Sequence, residues 1–378
     1  MSESVPDPPK SLLVVRLGAM GDVIHTMYAV SLLRHSFPQA QVGWVIEERW
    51  AELLCARETP RSGARSAGRP LVDFVHMVNT KSWRKSPLAG ETRQQFSAAL
   101  REIRDQHYDL AIDFQGAIKS ALLARLARPK ALLGMDAPRE APARLFYSQR
   151  VHTKGLHVIE QYGSLAEAAI ASSRRDPLDR SLRVGPGQAF EGGCSYASIP
   201  FPKDTAAEEA ISRKLRNVTE PIVLITPGAG WGAKQWPGDR YGEVSRELAK
   251  QGATVLVNYG PGEEQLAKEV CDSAAGCAQP ITCSLAELVA LTRRSSLFIG
   301  GDTGPLHLAA ALGVPVVAIF GPTDPARNGP YSERSVVLRN AASRTSLSHT
   351  SEPDPGLLQI VAGEVLAAAR KLLERNHA

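Results

Sequence analysis

The sequence predicts an α/β protein built from two doubly wound, Rossmann-like domains facing a cleft. Short apolar runs alternate along the chain with segments of helical apolar spacing, the pattern of parallel sheets covered on both faces by helices. Several of those runs feed a Gly-rich turn that opens a helix, and the arrangement recurs in both halves of the chain. The length of 378 residues exceeds what one hydrophobic core ordinarily serves, so two domains are expected.

In the first half, residues 11–17 (SLLVVRL) read as a buried strand, followed by the turn Gly18-Ala19-Met20-Gly21-Asp22. Asp22 begins a helix whose apolar positions Val23, Met27, Val30 and Leu33 keep helical spacing. Strands follow at 41–46, 72–78 and 110–114, with helices near 91–107 and 117–127. Residues 60–70 (PRSGARSAGRP) form a polar loop that reads as an insertion. An N-terminal domain over 1–172 is therefore expected, then an interdomain connection over 173–203, rich in Pro, Gly and Ser.

The second domain spans 204–340. Asp204 caps a helix to about Leu215, 221–226 is a strand, and Pro227-Gly228-Ala229-Gly230-Trp231-Gly232-Ala233-Lys234 is the loop after it. A helix starts near Gly238, a strand runs over 253–258, and Glu263-Glu264 open another helix. Strands at 296–300 and 315–320 complete the sheet. Residues 341–378 read as a polar loop and a final helix, opened by Asp354-Pro355. Its stripe Leu358, Val361, Val365, Ala368 and Leu372 is expected to pack across the domain junction.

Composition narrows the function classes. Hydrophobic content of 43% and charged content of 22% are ordinary for a soluble globular protein. No run approaches the 18 or so apolar residues of a membrane span, and the Pro-rich start MSESVPDPPK is unlike a signal peptide, so a cytoplasmic protein is expected. Three of the five cysteines, Cys271, Cys277 and Cys283, recur every six residues. That spacing fits no zinc site, and reduced thiols are expected. The net charge of +5 is uneven: residues 57–154 hold 18 Lys and Arg against 9 Asp and Glu. Such an excess points to an acidic partner. Aromatics are only 6%, and no motif interleaves them with the basic residues, so nucleic acid is not the expected partner.

The densest motif is IGGDTGPLHLAAALGVPVVAIFGPTDP at 299–325. A strand ends at Gly300-Gly301, Asp302 or Thr303 caps a helix, and Pro305 is tolerated in its first turn. First-turn N–H groups lack helical partners and favour negative charge, a seat for phosphate. Gly313 ends the helix, and the next strand runs into Gly321-Pro322-Thr323-Asp324-Pro325 on the same sheet edge. Strand–Gly–helix turns also occur in α/β proteins where they bind nothing. On that reading Asp302 is only a cap and His307 only a buried polar side chain. The similar strand–turn–helix units elsewhere in the chain favour a bound phosphorylated ligand.

Together with R-L-G-A-M-G-D-V-I-H-T (16–26), P-G-A-G-W-G-A-K-Q-W-P (227–237), D-T-G-P-L-H (302–307) and G-P-T-D-P (321–325), the chain resembles glycosyltransferase family 9, which holds the ADP-heptose:lipopolysaccharide heptosyltransferases. S-W-R-K (82–85), I-D-F-Q-G-A-I-K-S (112–120) and R-E-A-P-A-R-L-F-Y (139–147) resemble the members that add the first heptose to Kdo of the inner core. The likeness runs from about residue 11 to 340. It implies a GT-B fold and an inverting transfer without metal or cofactor. It also implies an ADP-heptose donor and a Kdo-lipid A acceptor at the inner membrane surface, where the protein would make peripheral contact. Gly18-Ala19 and Ala229-Gly230 stand where the first-heptose enzymes carry hydroxyl-bearing residues, so phosphate contacts there, Gly230 included, would come from backbone N–H groups.

By the resemblance, Asp22 is the general base. Inversion needs a group that takes the acceptor hydroxyl's proton as the oxygen attacks; otherwise Asp22 is an N-cap carboxylate. Lys234 would pair with the donor's diphosphate, where a positioned cation stabilises the leaving group, and Thr303 and Gly304 would offer it N–H groups. Asp302 would bond the sugar or order the loop, His307 either touches the ligand or packs, and Glu263 or Glu264 would bind ribose hydroxyls. Arg84, Lys85 and Arg139 match basic positions that serve an anionic acceptor. Competing readings are a relative adding a later heptose or another sugar, a nucleotide-sugar epimerase, and a binding module without catalysis. Neither of the last two needs Asp22 or the basic surface.

Overall fold

The computed structural model describes residues 8–172, 199–346 and 350–375; most of the connection expected at 173–203 lies outside them. The described chain divides into two units at Lys203–Asp204.

In the first unit, β1 (Ser11–Val15), α1 (Met20–Ser36), β2 (Gln41–Glu47) and β3 (Phe74–Val78) are followed by α2 (Thr80–Lys85), α3 (Gly90–Arg104), β4 (Leu110–Asp113) and α4 (Ile118–Leu126). β5 (Ala131–Met135), β6 (Gln149–Val151) and α5 (Val158–Ala171) complete it. The sheet has the order β3-β2-β1-β4-β5-β6. All pairs are parallel, with Ser11 beside Gln41 and Leu12 beside Leu110 in register. β1 is central and wholly buried, which is why its residues are apolar on both faces.

The loop at 60–70 is built around Arg69, which is 1% exposed. Its guanidinium donates to Val72 O at 3.1 Å and to Gly63 O and Ala64 O at 2.6 and 2.9 Å. Fixed acceptors of this kind let a buried arginine order a loop that has no apolar core.

The second unit repeats the pattern with α6 (Thr205–Lys214), β7 (Ile222–Thr226), α7 (Gly238–Ala249), β8 (Thr254–Asn258), α8 (Glu264–Ser273) and β9 (Ala278–Ile281). α9 (Leu285–Arg293), β10 (Leu297–Gly301), α10 (Gly304–Ala311), β11 (Val316–Phe320), α11 (Pro325–Asn328), β12 (Ser335–Arg339) and α12 (Ala362–Glu374) follow. Its parallel sheet has the order β12-β11-β10-β7-β8-β9. Asp204 caps α6 by accepting from Ala207 N at 3.0 Å. Gly313, at φ +73°, ends α10 in the left-handed region that glycine enters without steric cost.

The closing helix starts later than expected. Asp354 accepts from Leu357 N at 3.0 Å, but it starts only a single 3-10 turn at Leu357–Gln359. α12 begins at Ala362, where Glu364 accepts from Val361 N at 2.9 Å. Of its stripe, Val365, Ala368 and Leu372, with Ala369, join the second unit's own core with Val244, Leu248, Val317 and Ile319, while Leu358 and Val361 are exposed. That core offers an apolar face, and burying these side chains against it offsets the entropy of ordering the helix. No helix among the described residues is long and apolar enough to cross a membrane.

Candidate active site

In a parallel sheet all strand C-termini share one edge, and the predicted residues gather at these edges. In the first unit Asp22 lies in the first turn of α1. Its carboxylate accepts from Ala19 N at 3.2 Å and pairs with the Arg16 guanidinium. Its side chain is 37% exposed, against 6% for Arg16. Arg16 reaches beneath the loop, donating to Phe114 O at 2.7 Å and lying 5.4 Å from the Tyr162 ring centre. Burial works against its charge, but Asp22 and Tyr162 outweigh this and raise the guanidinium's pKa above its ordinary value. Gln115 Oε1 accepts from Leu17 N at 2.9 Å, so the turn after β4 holds the turn after β1 at two points.

Asp113 anchors that turn. It is fully buried and accepts from Tyr147 Oη at 2.8 Å, Ser120 Oγ at 3.0 Å and Gln115 N at 2.9 Å. Burial raises its carboxyl above the ordinary range although these donors oppose the shift. The 112–120 and 139–147 motifs thus meet in one polar knot.

Arg84 and Lys85 are exposed in the last turn of α2, after β3, and Arg139 is exposed after β5. Glu140, beside Arg139, donates its N–H to Gly116 O at 2.9 Å and accepts from Ile118 N at 2.8 Å. This seats Arg139 on the turn after β4. His25 is buried, edge-on to His157 at 5.8 Å.

In the second unit the residues cluster more tightly. Lys234 Nζ pairs with Asp302 Oδ2 and lies 4.1 Å from the Trp231 ring centre. His307 Nε2 lies 3.3 Å from Asp302 Oδ1. The Lys234 and Asp302 side chains are 10% and 8% exposed. Burial opposes the charge on Asp302, but His307 and Lys234 outweigh it and hold its carboxyl well below the ordinary carboxylate range. Asp302 thus joins Lys234 of the loop after β7 to His307 of α10. Thr303 occupies the N-cap position of α10 in extended conformation without a side-chain cap bond, so the first-turn N–H groups from Gly304 onward are not covered by a cap.

Glu263 and Glu264 differ. Glu263 accepts from Gly260 N at 2.8 Å, and its carboxyl lies so close to Gly228 that a Cβ there would meet it at 2.0 Å. A larger residue at 228 would displace this carboxyl, which is aimed at the loop after β7. Glu264 is exposed and accepts from Gly262 N at 3.2 Å. Gly230 is exposed, with open space where its Cβ would be. Asp324 caps α11, accepting from Ala326 N at 2.9 Å.

Three further groups were not singled out from sequence. Thr226 Oγ1, Asn258 Oδ1 and Thr323 Oγ1 are buried without a partner among the described residues. They end β7, end β8 and follow β11, all on the edge that carries Lys234 and Asp302. Buried polar atoms are normally satisfied, so these three have bonding capacity left for a ligand or water. Only their position at strand ends could have drawn notice. Among the described residues no group of three His, Cys, Asp or Glu side chains is placed to hold a metal ion. The four described cysteines are free thiols.

Two Rossmann-like sheets, each with polar groups at its C-terminal edge, define a nucleotide-sugar class of enzyme, and comparison with known proteins agrees. The model of glycosyltransferase family 9 (heptosyltransferase) matches residues 97–354, and the chain belongs to that family: it is a glycosyltransferase. It is 28% identical to lipopolysaccharide heptosyltransferase 1 of Pseudomonas aeruginosa, over 86% of this chain and 83% of that one. The structure of E. coli heptosyltransferase WaaC with ADP is 26% identical, with a TM-score of 0.70 over 97% of this chain and 99% of that one. WaaC with ADP-2-deoxy-2-fluoro heptose is 25% identical, with the same TM-score and coverage.

Proposed function

We propose that the protein transfers heptose from ADP-heptose to Kdo of the lipopolysaccharide inner core, with inversion and without a metal ion. The observation that carries the donor half is the buried Lys234–Asp302–His307 cluster beside the uncapped first turn of α10. An ammonium held beside a helix N-terminus is where charge on a departing diphosphate is stabilised, because it needs no reorganisation as that charge develops. Thr303 and Gly304 supply the helix N-terminus, the Gly230 loop further N–H groups, and Glu263, the inward acid, accepts from ribose hydroxyls. Glu264 is left to its own turn. The likeness to a heptosyltransferase structure containing ADP supports the choice of nucleotide.

On the acceptor half, Asp22 takes the proton of the attacking hydroxyl. Its exposed carboxylate can reach a substrate while Arg16 fixes it from below. Arg84, Lys85 and Arg139 receive the carboxylates and phosphates of Kdo-lipid A, a partner whose anions suit the planar arginine fork. That acceptor brings the protein to the cytoplasmic face of the inner membrane as a peripheral visitor.

Incubation with ADP-heptose, with and without deacylated Kdo-lipid A, tests the reading. ADP release that requires the acceptor, with one heptose added to it, is the expected result. Transfer only to an acceptor already carrying heptose would move the enzyme to a later step, and a donor altered without acceptor would make it an epimerase.

A further inference from the structure

The first unit contains a cavity of about 430 Å³ that the catalytic reading leaves unused. Its apolar lining is Trp83 from α2, Phe96 from α3, and Leu122, Leu123 and Leu126 from α4. Trp83 and Phe96 stand edge to face at 5.4 Å, and Trp83 Nε1 donates to Gln95 at 3.3 Å, so the aromatic side is fixed. Leu122 is 41% exposed, an apolar side chain facing both cavity and solvent. Four cations, Arg49, Lys81, Arg84 and Lys119, stand at the same cavity with a single carboxylate, Glu47. That carboxylate is already engaged: Thr80 donates to it, and Lys119 Nζ lies 3.5 Å from Thr80 Oγ1.

An apolar interior with a cationic margin matches one ligand chemistry, a hydrocarbon tail attached to an anionic head. A simple sugar phosphate would leave the apolar wall unused, and a neutral lipid would leave the cations unpaired. The volume is in the range of sites for small organic ligands. Location selects the source. Glu47 N donates to Leu17 O at 3.1 Å, so the cavity wall is bonded to the loop that leads to Asp22, and Arg84, one of the proposed acceptor contacts, lines the cavity.

We propose that this cavity receives one acyl chain of the phosphorylated acceptor, with the four cations on its head-group anions. The acceptor is then held by its tail as well as its sugars, and the tail sets which saccharide hydroxyl comes to Asp22. This rests on the acceptor reading given above.

Titration calorimetry with the whole protein tests the cavity directly. Dodecyl phosphate below its micelle-forming concentration should bind, whereas butyl phosphate and dodecyl maltoside each lack one half of the chemistry. Burying one methylene is worth roughly fourfold in affinity, so both controls should bind at least about tenfold more weakly. Leu122→Glu, at a half-exposed helix position, should keep the wild-type melting temperature and lose roughly tenfold in dodecyl phosphate affinity. In turnover, the same variant should raise KM for acylated Kdo-lipid A and leave KM for the deacylated acceptor unchanged. Equal binding of butyl and dodecyl phosphate, or affinity indifferent to Leu122→Glu, would overturn the proposal. So would an equal response of both acceptors, since the tail would then come from a separate lipid. Absence of transfer to either acceptor would fail the functional reading and the assignment of the tail to the acceptor, while the dodecyl phosphate titration still judges the cavity itself.

Discussion

Replacing Lys234 by alanine should separate two roles that one side chain performs. Its ammonium neutralises Asp302, and both side chains are about nine-tenths buried. Breaking a buried ion pair by deleting one partner costs about 3–5 kcal/mol. Here His307 remains 3.3 Å from the carboxylate, so a smaller loss, about 2–3 kcal/mol, is expected. At roughly 2–4 °C per kcal/mol for a unit of this size, the melting temperature should fall by about 4–12 °C. Adding Asp302→Asn to Lys234→Ala removes the stranded charge and should restore most of that fall. Affinity for ADP should behave otherwise. A charge-assisted hydrogen bond is worth about 1.5–3 kcal/mol, so Kd should rise roughly ten- to 150-fold in Lys234→Ala and stay raised in the double variant. The pH dependence has a definite sign. Because the folded-state pKa of Asp302 is depressed, its contribution is complete above the unfolded value of about 3.9 and is lost as pH falls through the folded value. The gap in melting temperature between wild type and Lys234→Ala should therefore narrow below about pH 4. Differential scanning calorimetry and ADP titration on the three proteins decide the matter. A Lys234→Ala protein that melts with the wild type, or a double variant as unstable as the single, would refute the ion-pair reasoning. Unchanged ADP affinity would place the diphosphate elsewhere.

Asp22→Ala should lower kcat by roughly 10²–10⁴-fold with ADP affinity nearly unchanged; a variant keeping a tenth of wild-type kcat would remove Asp22 as the base. Turnover should survive EDTA, since Lys234 and the α10 N-terminus supply the positive charge; activity lost on chelation and restored by magnesium or manganese would contradict this. The Arg84→Ala/Lys85→Ala double variant should raise acceptor KM and leave donor affinity alone. Acceptor KM in the wild type should rise with ionic strength, because exposed charges are screened beyond about 8 Å at physiological salt; kinetics equal to wild type would leave those two residues only a solubility role.

Most of the strand and helix order was legible because central strands are buried on both faces and spell unbroken apolar runs, as β1 and β7 do. What escaped includes three strands at sheet margins and one interior strand, β5 (ALLGM), whose run of five residues was too short to stand out. β6, β9 and β12 are edge strands, so their residues face solvent in part and their sequences, QRV, AQPI and SVVLR, lack a clear pattern. Pro280 in β9 would even argue against a strand, yet an edge tolerates it. α2, α5 and α9 also went unread. Asp354-Pro355 misled because a local turn signal serves one 3-10 turn as well as a helix. At the site, spacing and motif named Lys234, Asp302 and His307, but their mutual pairing needed coordinates, since they are brought together by strands β7 and β10, paired side by side in the sheet. Thr226 and Asn258 escaped because a single threonine or asparagine at a strand end has no sequence signature until its burial is known, and Thr323, though inside the G-P-T-D-P motif, because only coordinates show its hydroxyl buried.

Arg16 and Gln115 tie two turns that stand about a hundred residues apart in the chain, and this has an evolutionary consequence. A lysine at position 16 could not present a planar fork to Asp22 and Phe114 O together, and loss of the Gln115 acceptor would strand the buried Leu17 N–H. Neither position is free to drift alone. Lineages of this enzyme should therefore change the two turns in concert, and a chimera that takes one turn from a distant relative should inherit a misaimed carboxylate unless it takes the other as well.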